Sequence, residues 1–112
     1  MPSQSIQSIV KEVCVRVSDL YPGEKIEAIL FGSYARGDAD EHSDVDILLL
    51  VDSPREMIAE HNWQIGKIAS DLFFEYDLVI SPIVENRKFF FNRIHSLPFY
   101  ANIDREGVRI SA

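Results

Sequence analysis

Hydrophobic positions along the chain alternate between two periods. Ile6, Ile9, Val10, Val13, Val17 and Leu20 recur at helical spacing, and Pro22-Gly23 stops the pattern. Ile26 to Phe31 then reads as a short buried strand ended by Gly32-Ser33, and a polar loop runs from Gly37 to Ser43. Val45 to Val51 is almost all β-branched residues or Leu, the composition of a central strand covered on both faces. Ser53-Pro54 predicts a helix start, with Ser as cap and Pro at the first helical position. Met57, Ile58, Ile65, Ile68, Ala69 and Leu72 carry that helix to about Phe73. Leu78 to Val84 is the third expected strand, and Pro82 places it at a sheet edge or ends it early. A short helix over 87–95 follows, then another opened by Leu97-Pro98 and closed by Gly107; Val108 to Ile110 is a last strand or a loose tail. Such an order implies one small α+β domain over 1–112, a mixed sheet flanked by helices.

Charge narrows the partners. The chain has 11 Lys and Arg against 18 Asp and Glu, a formal net charge of −7, which repels phosphate backbones and argues against direct nucleic-acid binding. A basic protein, or a nucleotide carried with its metal, fits better. Cys14, the one cysteine, falls among apolar helical positions with no His nearby in sequence and reads as a buried structural thiol. Met1-Pro2-Ser3-Gln4 is polar and lacks the pattern of a signal peptide, and no apolar run is long enough to cross a bilayer. A cytoplasmic protein is expected.

Three features carry candidate chemistry. Phe31-Gly32-Ser33-Tyr34-Ala35-Arg36-Gly37 follows a strand directly. Gly32 permits a sharp turn and close approach of a phosphate, while Ser33 offers a hydroxyl and an amide; the same residues also suit a plain strand-to-helix turn capped by Ser33. In Ser43-Asp44-Val45-Asp46, Asp44 and Asp46 are two apart on a strand, so both side chains leave one face roughly 7 Å apart. Paired carboxylates repel unless a cation intervenes, and hard oxygens suit Mg²⁺; the alternative is a loop cap at Asp44 and an exposed Asp46. Asp77 is a third carboxylate, opening the strand Asp77-Leu78-Val79-Ile80, with Glu75 read as a solvated turn residue. Three carboxylates can hold two Mg²⁺ ions for in-line displacement at phosphorus, with Asp77 receiving the attacking hydroxyl's proton.

Gly32-Ser33, ten intervening residues, Asp44-Val45-Asp46 and then Asp77 resemble the nucleotidyltransferase superfamily typified by DNA polymerase beta. The strings Gly-Ser-Tyr-Ala-Arg-Gly and Ser-Asp-Val-Asp-Ile-Leu are similar to its minimal nucleotidyltransferase subgroup over about residues 26–80. The resemblance implies the polymerase beta-like fold, with Gly32 and Ser33 on the triphosphate of ATP, Asp44 and Asp46 on both magnesium ions, and Asp77 on one. Arg36 either touches phosphate or pairs with an Asp to hold its loop. Minimal members are commonly paired with an all-helical HEPN-domain toxin, so the resemblance implies an antitoxin that adenylylates a tyrosine of such a partner. Two alternatives stay open: an antitoxin acting by occlusion, and a small-molecule adenylyltransferase of the aminoglycoside type. Consecutive Phe89, Phe90 and Phe91 span about 200° of a helix, so either they anchor a partner or loop irregularity folds them inward. Trp63 and Tyr100 are expected in the core or at its rim, and His42, His61 and His95 lack metal-ligand spacing.

Overall fold

A computed structural model describes residues 4–110; the polar Met1-Pro2-Ser3 stretch lies outside them. The apolar stripe of the first segment forms helix α1, Gln4–Ser18, which buries Ile6, Ile9, Val10, Val13, Cys14 and Val17. Strand β1, Glu27–Phe31, leads through the short helix α2, Ser33–Arg36, to strand β2, Val45–Val51. Helices α3, Arg55–Glu60, and α4, Asn62–Tyr76, cross over to strand β3, Ile80–Asn86. Helices α5, Arg87–Arg93, and α6, Pro98–Glu106, precede strand β4, Val108–Ile110.

The four strands lie in the order β3-β2-β1-β4. β1 is antiparallel to both β2 and β4, while β2 and β3 are parallel, as a helical crossover requires. β2 is central, with Ile47 through Val51 fully buried, and Pro82 sits on the edge strand β3. Alternation along β2 separates two cores. Val45, Ile47, Leu49 and Val51 face α1, α3 and α4; Leu48 and Leu50 face Phe90 and Ile103 of α5 and α6. Asp44 and Asp46 share the parity of Leu48 and Leu50, so they belong to the face covered by α5 and α6. No described helix is long and apolar enough to cross a membrane.

Several expectations need correction. Ser53 does not cap a helix: its hydroxyl donates to Glu24, whose carboxylate also accepts the Ser53 and Asp52 amides at 3.0 and 2.7 Å. Pro54 is the cap residue instead, and the single helix expected here is split at His61. Apolar periodicity marks which side of a helix is buried, not a phase break at one residue. α4 also runs past Phe73 to Tyr76, and Asp77 ends it in left-handed geometry, φ 56°. Asp77 therefore does not open β3, which begins at Ile80. Glu75 lies in the last turn of α4 and pairs with Arg16 at 2.8 Å, not in a solvated turn. Trp63 is 73% exposed, outside both core and rim.

The phenylalanine run divides by position. Phe90 is fully buried, Phe89 lies under the Arg55 guanidinium at 3.7 Å, and Phe91 is partly exposed against the Phe90 ring. Phe90→Ala should lower stability by about 3–5 kcal/mol, and Phe91→Ala by about 1 kcal/mol or less, in urea melts. Equal losses would mean that the second core does not rest on Phe90.

Candidate active site

The site grows from the end of β1. Phe31 stands opposite Asp46 in the antiparallel register, and the next residue turns the chain out of the sheet. That turn is Gly32, with φ 74° and ψ −155°, a conformation open to glycine and strained for other residues. Space demands glycine too. A Cβ at position 32 would overlap Oδ2 of Asp46 and lie 3.2 Å from its Cγ, so the carboxylate rests directly on bare backbone. α2 starts at Ser33, with Gly32 rather than Ser33 as its cap residue and no side-chain cap bond. Its first return bonds run from the Ala35 and Arg36 amides to Gly32 O, 3.1 Å each. The Ser33 and Tyr34 amides precede those bonds, at the end of the helix where N–H groups face anions.

Asp44 and Asp46 enter on β2 as expected from their spacing. Asp44 is exposed and Asp46 half-buried. Burial first, and the neighbouring charge of Asp44 second, push the Asp46 carboxyl above the ordinary aspartate value, against the pull of Arg36. Arg36 relieves Asp46 only in part, because its guanidinium pairs with Asp38 at 3.3 Å and Glu106 at 3.6 Å. A half-buried carboxylate pressed by a second one and left without its own cation suits a divalent metal. Among the described residues, no group of three or more His, Cys, Asp or Glu gathers to hold a metal. Ligation by Asp44 and Asp46 would then be completed by water and substrate phosphate, the habit of Mg²⁺.

Asp77 is not gathered with the pair into a metal-holding group. It closes α4 with its N–H bonded to Phe73 O at 2.8 Å, three residues before β3. Its strand neighbour Val79 reaches the site, since Val79 O accepts the Val45 N–H at 2.8 Å. One residue was missed from sequence: Ser81 lies beside Asp46 in the parallel register, and its hydroxyl is 3.5 Å from Asp44 Oδ2. Only the strand pairing could reveal it, because Ser81-Pro82 reads locally as a break.

A cavity of about 360 Å³ opens beside the pair. Phe31, Gly32, Ser33, Arg36 and Asp46 form one wall, and Phe99, Asn102, Ile103 and Glu106 of α6 form the other. A larger one, about 900 Å³, lies between α1 and the β1–β4 side of the sheet. Its arginines are already matched, Arg87 with Asp52 and Glu27, Arg109 with Glu27 and Asp104, so it offers little to a charged ligand. The smaller cavity is the candidate site, since Gly32, Ser33 and Asp46 line it.

The family described as "Nucleotidyltransferase domain" matches residues 8–107. Two similar proteins come from Methanocaldococcus jannaschii. "Putative protein adenylyltransferase MJ0141" is 38% identical over 106 residues, covering 94% of this chain and 98% of the relative. "Putative protein adenylyltransferase MJ0604" is 34% identical over 101 residues, covering 90% and 93%. Among solved structures, a chain from "Crystal structure of the toxin-antitoxin with AMP-PNP" superposes with a TM-score of 0.62 at 18% identity, covering 91% of this chain and 72% of that one. The likeness to that chain is one of fold. From the extent of the sequence match, this chain belongs to the nucleotidyltransferase family and is a nucleotidyltransferase.

Proposed function

We propose that the protein transfers AMP from Mg·ATP to a hydroxyl of a partner protein, a tyrosine of a HEPN-domain toxin. The observation that supports the chemistry is the contact of the Asp46 carboxylate with the bare backbone of Gly32, which would bring a cation held by Asp46 against phosphate bound at that turn. The names of the two archaeal relatives support a protein acceptor, and the toxin–antitoxin neighbour supports a toxin as partner.

Gly32, Ser33 and the first amides of α2 bind the β- and γ-phosphates, while Arg36 holds the cavity wall through Asp38 and Glu106. Asp44 and Asp46 hold the metal, two Mg²⁺ ions once the triphosphate is in place, which supplies charge neutralisation at phosphorus and a lowered hydroxyl pKa. Ser81 steadies Asp44 from the neighbouring strand. The acceptor oxygen forms a bond to the α-phosphorus as the bond to pyrophosphate breaks, and Asp77 takes the hydroxyl proton. Aligning the two reactants supplies much of the rate.

Incubating the protein with Mg·ATP and its proposed HEPN-domain partner should add one or more AMP units to that partner, read by intact mass and located on a tyrosine by peptide mapping. An unchanged mass with both proteins folded would refute the reading. Full protection from the toxin without any mass change would favour occlusion instead. Asp77→Asn should slow transfer by about 10²–10⁴-fold with ATP affinity retained. Wild-type turnover in that variant would move the proton to another acceptor.

A further inference from the structure

α4 exposes far more aromatic surface than its fold requires. It buries only Ile65 and Leu72, while Phe74 is 81% exposed and Phe73 and Tyr76 are also open to solvent. The Phe73 and Phe74 rings meet edge to face at 5.6 Å, forming one apolar shelf at the helix's last turn. Exposed Val79 lies in the link from α4 to β3, and its carbonyl takes the Val45 N–H. Asp44 and Asp46 flank Val45, so the shelf and the carboxylate pair occupy the same end of the sheet, on either side of its β3 edge. Contiguous exposed aromatics of this kind mark interaction surfaces.

Charge next to the shelf says what covers it. The stretch 38–46 carries Asp38, Asp40, Glu41, Asp44 and Asp46 with no Lys or Arg, and it enters the sheet at Val79. Phosphate-rich polymers are repelled there. A second copy of this chain, also at −7, would bring the same acidic loop against its twin. A small acceptor has no use for an aromatic shelf outside the cavity.

We propose that Phe73 and Phe74 form the docking shelf for the acceptor protein, which lays an apolar strip there and points Lys or Arg residues beside its acceptor hydroxyl at the acidic loop. This rests on the protein-adenylylation reading above and assigns the surface that selects a protein over a small molecule. Neither Phe74 nor Glu41 belongs to the nucleotide site, and both are exposed, so their variants should fold.

The test compares wild type, Phe74→Ser and Glu41→Lys, using the HEPN-domain protein of the proposed function as acceptor. Phe74→Ser should raise the KM for that protein about thirtyfold, the scale of a lost aromatic hot spot. Glu41→Lys should raise it several-fold, less so at high salt. Affinity for Mg·ATP, measured by calorimetry, should be unchanged in both. A wild-type acceptor KM in Phe74→Ser overturns the proposal. If wild type transfers nothing, direct binding decides: a complex weakened by Phe74→Ser keeps the shelf and removes the adenylylation reading, while an unaffected complex, or none, removes the shelf. A homodimer of the chain alone that dissolves in Phe74→Ser would assign the shelf to a second copy and overturn the proposal.

Discussion

Asp46→Asn is expected to reduce AMP transfer by roughly 100- to 1,000-fold while making the metal-free protein melt at a higher temperature. Both results have one origin. Burial and the charge of Asp44 hold the Asp46 carboxyl above its unfolded value, so the folded chain binds a proton there more tightly than the unfolded chain does. Stability therefore falls as pH rises from the ordinary aspartate range through the raised value, and the penalty is fully present at neutral pH. Asparagine removes the charge and with it the penalty. Mg·ATP should raise the melting temperature of wild type and leave that of Asp46→Asn nearly unmoved, because ligation stabilises only a chain that binds it. A variant that melts lower without metal, or is stabilised equally by Mg·ATP, would detach Asp46 from the metal.

Gly32→Ala should be damaging in a different way. Alanine at φ 74° carries backbone strain of about 1–3 kcal/mol, and its Cβ would displace the Asp46 carboxylate. A misplacement of that order costs about 100-fold in rate. Gly37→Ala separates the two effects. Gly37 also has positive φ, at 85°, but an added Cβ meets nothing within 4 Å. It should lose stability and keep turnover, whereas Gly32→Ala should lose both. Equal turnover in the two variants would mean that contact between turn and carboxylate is dispensable.

Much of the fold was legible because its signals are local. The Ile47 to Val51 run reads as a doubly covered strand, Pro82 left an edge position or an early end open and lies on the edge strand, and Gly107 closed α6 as expected. The spacing of Asp44 and Asp46 put both on one face, and the structure shows which helices cover it. What stayed hidden depends on contacts between distant segments. Ser53 looked like a cap until Glu24, 29 positions away, claimed its hydroxyl. The end of α4 was misread because Phe73, Phe74 and Tyr76 face solvent, leaving no buried stripe to count. Aspartate tolerates left-handed geometry and so supplied a helix stop without a glycine. Arg36 could be read as a loop clasp, and it does contact Asp38; its second partner, Glu106, lies 70 positions on, beyond any motif.

The placement of Asp46 on β2 has a consequence for how the domain breathes. Its backbone belongs to the central, doubly paired ladder, whose amides open to deuterium only when the whole molecule unfolds. α2, a single turn packed at the rim, can open alone. Exchange should therefore be slowest from Asp46 through Leu50 and fast from Ser33 through Arg36, with nucleotide slowing only the second group. One half of the site is as permanent as the core; the other half is free to let product go.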